Sequence, residues 1–210
     1  MNTLKHDTNT DALGVDTGNE RGTFMSLYSG GKFFPLDPTE QEVHIEDIAH
    51  ALSHQNRFNG HLKWPYTVAQ HSVLCAKQAR SMDYDLNVQL YALMHDAAEA
   101  YIGDMIRPLK YYMPMFKEVE DRIMTVVARK FDFSMNKRAT AKIKTIDNLM
   151  CAAEKRDMHP TTLEWPGMPD PVDIKTIEPW PHSYAKGQFM RMFNQINESR
   201  RFQKLVDAIV

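Results

Sequence analysis

The sequence predicts an all-α helical bundle with a small N-terminal β-hairpin. Three observations lead there. Apolar residues recur at three- and four-residue spacing from Ile45 to Leu205, the period of an amphipathic helix. Short alternating, β-prone runs are confined to the region Thr23 to Leu36, around Gly30-Gly31. No internal repeat or linker interrupts the helical pattern, so one unit spanning residues 22–210 is expected after a tail at residues 1–21.

Residues 1–21 are rich in Asn, Asp, Thr and Gly, the composition of a flexible tail. Thr23–Tyr28 and Phe33–Leu36 flank Ser29-Gly30-Gly31-Lys32 and read as a hairpin, with Pro35 and Pro38 keeping it at an edge. Ile45, Ile48, Ala49 and Leu52 mark the first helix, and Glu46 and Asp47 suit its positive end. Ser53 to Pro65 has loop composition. A helix from Thr67 to Met82 follows, with Val68, His71, Ser72, Cys75 and Ala79 on its inner face. Leu86 to Tyr101 reads as the next helix, ended by Gly103, and Pro108 and Pro114 bound a short connecting piece. Phe116 to Phe131 turns Val119, Ile123, Val126 and Val127 inward. Asn136 opens a long helix with Ile143, Ile146, Asp147, Met150 and Cys151 on one side. Pro160 to Pro181 is proline-rich, carries Trp165 and Trp180, and is expected to be a packed loop. Tyr184 to Ile209 is a final amphipathic helix through Phe189, Phe193, Ile196 and Leu205.

Composition narrows the function classes. Of the 210 residues, 43% are hydrophobic and 25% charged, an ordinary globular balance. A formal net charge of −2 removes the electrostatic case for nucleic-acid or anionic-membrane partners. No apolar run approaches the ~20 residues of a membrane span, and the first residues lack the apolar core of a signal peptide. A cytoplasmic location is expected, with Cys75 and Cys151 as buried thiols.

The stretch Met94-His95-Asp96-Ala97-Ala98-Glu99-Ala100-Tyr101-Ile102-Gly103-Asp104 carries the chemistry. On a helix, His95 and Glu99 would be neighbours at i, i+4 and Asp96 and Glu99 at i, i+3. Burying such groups among Leu and Ala is costly unless they are paired or bind metal. His71 on the preceding helix and Asp147 on a later one are further inward-facing polar groups. Two imidazoles and two carboxylates make a mixed nitrogen–oxygen donor set, suited to a divalent ion such as Mn, Co, Fe, Ni or Zn, with Mg also in range. Four protein donors leave one or two positions for water and substrate.

In the order His71, His95-Asp96, Asp147, these residues resemble the ligand pattern of the HD-domain phosphohydrolase superfamily. The likeness extends to Asn56-Arg57-Phe58-Asn59-Gly60-His61, Tyr66-Thr67-Val68-Ala69-Gln70-His71-Ser72 and His95-Asp96-Ala97-Ala98-Glu99-Ala100-Tyr101. It points to a phage and prophage branch similar to bacterial 5′-deoxynucleotidases and phage dATP triphosphohydrolases, and spans Phe24 to Phe193. The resemblance implies an HD-domain helical bundle in which His71, His95, Asp96 and Asp147 hold the metal. Glu99 and Asp104 match the acidic pair that positions and activates the attacking water. Arg57 and Phe58 match a pair whose Arg holds phosphate and whose aromatic packs on the nucleoside. The relatives often carry Trp at that second position, so base or sugar preference is expected to differ here. Pro108 and Lys110 sit where the triphosphohydrolases line their nucleotide pocket.

The expected function is therefore hydrolysis of a small-molecule nucleotide, as a deoxynucleoside 5′-phosphatase or a dNTP hydrolase, with homo-oligomers among the possible states. A guanosine-tetraphosphate hydrolase would share the ligands, and a non-catalytic, metal-stabilised binding module is the other alternative. A zincin is set aside because HExxH is missing. His44, His50, His54, His159 and His182 read as surface or packing residues, and His61 as a hydrogen bonder that fixes its loop.

Overall fold

The computed structural model describes residues 21–209. The expected tail lies outside the described residues except for Arg21, which pairs with Asp37 (2.9 Å) and Glu42 (2.6 Å). Strand β1 (Met25–Ser26) pairs antiparallel with β2 (Lys32–Phe33), Met25 opposite Phe33. Gly30, at φ +86°, supplies the left-handed turn residue between them. Asp47 fastens this hairpin to helix α1 (Ile45–His54), accepting from Ser29 N (2.8 Å) and Ser29 Oγ (2.9 Å). That explains why a carboxylate in the first turn is buried.

Side-chain caps set the starts of the central helices. Thr67 Oγ1 accepts from Gln70 N (3.1 Å) and opens α2 (Val68–Ser81). Asp85 Oδ1 accepts from Val88 N (2.9 Å) and opens α3 (Leu86–Met94). Short helices α4 (Glu99–Ile102) and α5 (Arg107–Lys110) follow, then α6 (Pro114–Lys130), begun by Pro114. Asn136 Oδ1 accepts from Ala139 N (2.9 Å) and opens α7 (Lys137–Met158). The last helix is α8 (His182–Asp207). Helix α2 packs against α3, α7 and α8, and α8 also lies on α1 and α3. Between them Ile48, Leu52, Leu90, Leu93, Met94, Ile146, Met150 and Phe189 are fully or almost fully buried. Each such side chain contributes roughly 1.5–3 kcal/mol of transfer free energy.

The architecture is thus mostly helical with one two-stranded antiparallel sheet near the N-terminus. No helix among the described residues is long and apolar enough to cross a membrane. Val172 and Ile177 are buried, so the proline-rich segment after α7 is a packed loop.

Two sequence expectations need correction. The helix expected from Leu86 to Tyr101 is interrupted at His95–Ala98. There the bonds run three residues back: Ala97 N to Met94 O (2.9 Å), Glu99 N to Asp96 O (3.0 Å) and Tyr101 N to Ala98 O (2.9 Å). Such tightened turns eclipse side chains at i and i+3, so Glu99 stacks toward Asp96 rather than over His95. Leu205 was expected inward, but α8 runs past the core there and leaves it 65% exposed.

Candidate metal centre and its cavity

Three elements deliver the four residues read as ligands. His71 sits mid-α2, His95 and Asp96 at the tightened turn that follows α3, and Asp147 on α7. Their donor atoms converge. His71 Nε2 is 3.3 Å from His95 Nε2, 3.6 Å from Asp96 Oδ2 and 3.4 Å from Asp147 Oδ1. His95 Nε2 is 3.3 Å from Asp96 Oδ2. Donors bound ~2.1 Å from one ion stand roughly 3–3.5 Å apart, so this spacing fits a shared cation.

The outer nitrogens are anchored. His95 Nδ1 donates to Ala92 O (2.8 Å), which aims its Nε2 at the cluster. His71 Nδ1 donates to Glu154 Oε1 (2.6 Å), and Tyr66 Oη donates to the same oxygen (2.9 Å). Glu154 is fully buried. Its burial favours the neutral acid, but Arg57 and His71 outweigh it and hold the carboxyl below its ordinary value. Burial and Arg57 push His71 down, yet Cys75, Glu154 and the Asp147 hydrogen bond carry it well above the usual imidazole range. A metal ion at His71 would therefore displace a proton.

Cys75, one turn beyond His71, places its Sγ 3.5 Å from His71 Nε2. The donor atoms of His71, Cys75 and His95 lie within 4.8 Å of one another, a group that could hold a metal ion. Burial raises the Cys75 thiol above its ordinary value and disfavours the thiolate a metal needs. Asp147 is the opposite case. Burial pushes it up, but the His71 hydrogen bond and the charges of His71, His95 and Arg57 hold it far below the usual carboxylate range. Asp147 is the more available donor of the two.

The cluster lies against a cavity of about 780 Å³. Asp96 and Asp147 reach its wall, as do Arg57, Phe58, Glu99, Asp104, Pro108 and Lys110. His71 and His95 do not line it. Arg57 lies among three carboxylates, 3.3 Å from Glu154, 3.4 Å from Asp96 and 3.9 Å from Asp147. Lys110 is steadied by Glu120. Arg107, mostly exposed, reaches Asp147 at 3.1 Å. Burial raises Glu99 well above the ordinary carboxylate value, and Asp96 and Asp104 add to that. Its Oε2 has no hydrogen-bond donor among the described residues. Burial likewise raises Asp104, although Arg57 opposes it.

Sequence reading passed over Glu154. Its signal was present: seven residues after Asp147, it falls two turns along the same face of α7. His159 and Trp165 also face the cavity, and they come from a segment with no period to read.

No family model matches this chain. It is 32% identical over 165 residues to an uncharacterized protein of Rhodobacter capsulatus, across 73% of this chain and 84% of that one. It is 34% identical over 183 residues to the uncharacterized protein YfdR of Escherichia coli K12, across 85% of this chain and 98% of YfdR. At that identity over nearly the whole of the relative, the chain belongs to the family of Escherichia coli YfdR.

Proposed function

We propose that the chain is a metal-dependent phosphohydrolase of the HD-domain type that acts on 2′-deoxynucleotides. The observation that carries this reading is that His71 Nε2 lies 3.3–3.6 Å from His95 Nε2, Asp96 Oδ2 and Asp147 Oδ1, with His95 Nε2 3.3 Å from Asp96 Oδ2. These four residues would hold the ion. A divalent ion there would lower the pKa of a bound water and offset phosphoryl charge.

The remaining steps belong to the chain's own side chains. Arg57 presents a planar fork that matches phosphate oxygens, and Lys110 adds a point charge. Glu99 takes the proton of the attacking water. Its raised carboxyl and unpaired Oε2 suit that task, because a base is most effective when its pKa approaches the working pH. Asp104, on the same wall, orients the water. Gln55 Nε2 donates to Glu99 O (2.8 Å) and fixes the backbone that carries the base.

A panel of deoxynucleoside mono- and triphosphates with Mn, Co, Ni, Zn and Mg, products resolved by chromatography, tests the reading. Inorganic phosphate from a monophosphate, or triphosphate from a dNTP, is the expected product. No hydrolysis of any nucleotide with any ion would overturn it.

A further inference from the structure

The cavity has a second wall, which carries rings instead of charges. Phe58, His159 and Trp165 meet there. The Phe58 ring is 6.0 Å from Trp165 and 6.3 Å from His159, and His159 lies edge-on to Trp165 at 5.3 Å. We infer that these three rings form a cradle for a planar heteroaromatic base, and that Trp165 is a specificity-determining residue. This rests on the nucleotide reading above.

Several observations distinguish a cradle from simple packing. Phe58 and Trp165 line the cavity and are only partly buried, and Lys155 Nζ stands 5.7 Å from the Trp165 ring. The backbone that presents Phe58 is also strained. Phe58 (φ +55°) takes a left-handed conformation that bulky side chains avoid, followed by Asn59 (φ +50°), which tolerates it. Arg57 N to Tyr66 O (2.9 Å) and His61 N to Phe58 O (3.0 Å) hold them there. Strain of this kind collects at ligand clamps.

The same turn places the Arg57 guanidinium 5.5 Å from the Phe58 ring. A group that holds phosphate and a ring that faces the nucleoside are therefore adjacent in sequence and in space. Trp165 is set in position by a tight turn. Met168 N donates to Trp165 O (3.2 Å), with Pro166 and Gly167 (φ +76°) at the central positions, the pairing such a turn requires. Burial and then the Lys155 charge hold the His159 imidazole below its ordinary value, which favours the neutral ring. It can therefore stack without adding charge.

Inserting a base between Phe58 and Trp165 needs roughly 7 Å, twice a van der Waals contact distance. The rings are 6.0 Å apart and tilted by 40°. Trp165 must swing outward slightly as a base enters, and its emission should report the event.

The test uses the full-length protein, the four 2′-deoxynucleosides as ligands that carry no phosphate to lose, and two substrates. Each of the four 2′-deoxynucleosides is titrated while tryptophan emission is followed, with 2-deoxyribose 5-phosphate as the base-free control. At least one deoxynucleoside should quench saturably in the wild type and several-fold less in Trp165→Leu, and the control should not quench. The ratio of kcat/KM for the matching deoxynucleotide over 2-deoxyribose 5-phosphate should fall at least tenfold in Trp165→Leu. Trp165→Phe, which keeps a ring, should recover most of that ratio. If deoxynucleotides are hydrolysed but Trp165→Leu alters neither quench nor ratio, the cradle is wrong and the phosphohydrolase reading stands. If a deoxynucleoside quenches through Trp165 but no nucleotide is hydrolysed, the cradle stands and the phosphohydrolase reading fails.

Discussion

On the helix side of the cavity the charged groups other than Glu99 and Asp104 are tied to partners, whereas on the loop side the rings touch mostly one another. His71, His95, Asp96 and Asp147 come from α2, the turn after α3 and α7, elements that pack directly on the core. Phe58 and Trp165 come from a strained turn and a proline-bounded loop. The contrast separates two tasks. Groups proposed to share a cation must keep fixed separations, here 3.3–3.6 Å from His71 Nε2 to the other three, and only rigid elements hold such tolerances. Groups that accept a ligand ring can stand on segments able to adjust. Damage to the helical wall should therefore remove chemistry, and damage to the loop wall should remove discrimination.

The largest effects are expected for Asp147→Ala and His95→Ala. Each should lose bound metal and activity together, read by elemental analysis beside a phosphate-release assay. Full metal occupancy in both variants would break the assignment of the helical wall. Next comes Glu99→Gln, which keeps shape and metal but removes the base. Activity should drop by ~10²-fold or more, and near-normal turnover would move the role to Asp104 or another group.

Glu154→Gln is expected to act at a distance from substrate. Glu154 orients His71 (2.6 Å) and also contacts Arg57 (3.3 Å), so it is a positioning residue for both. Metal affinity measured by calorimetry should weaken by roughly 10–100-fold, the usual scale for a group behind a ligating histidine. An unchanged affinity would reduce Glu154 to a structural role.

The smallest pair sharpens the comparison most. Arg57→Ala would strand the buried Glu154 charge and unsettle the fold, so Arg57→Lys is the better probe. It keeps the charge and loses the fork. All nucleotides should weaken alike, by roughly 1.5 kcal/mol or more. Phe58→Ala should instead spare overall rate and erode discrimination between bases or between ribose and deoxyribose. Equal losses across the panel in both variants would erase the distinction between the walls.

The helix order was legible because capping and periodicity agree. Asn136 was readable as the opening of α7, Gly103 as the stop after Ile102, and the inner face of α2 through His71, Cys75 and Ala79 is buried as its spacing required. The break at His95–Ala98 was not legible. Ala97 and Ala98 favour helix, and the tightening accompanies a local bond, His95 to Ala92 O, and a tertiary one, Gln55 to Glu99 O. That His71, His95, Asp96 and Asp147 approach one another was readable in outline from inward-facing polar positions on three elements. Glu154 was missed because a single Glu near the end of a charged helix looks solvated. Its burial depends on Tyr66 and Arg57 arriving from another segment. The rings of the loop wall follow from turn geometry and long-range packing, which leave no period in sequence.

The central claim is that the helical wall binds a divalent ion and uses it to cleave phosphate from a deoxynucleotide. The most direct measurement strips the protein of metal, confirms this by elemental analysis, and follows deoxynucleotide hydrolysis as Mn or Co is returned. Hydrolysis should be absent in the stripped protein and rise to a plateau near one ion per chain. Hydrolysis that is equally fast without metal, or protein that binds the ion and cleaves no deoxynucleotide, would contradict the account.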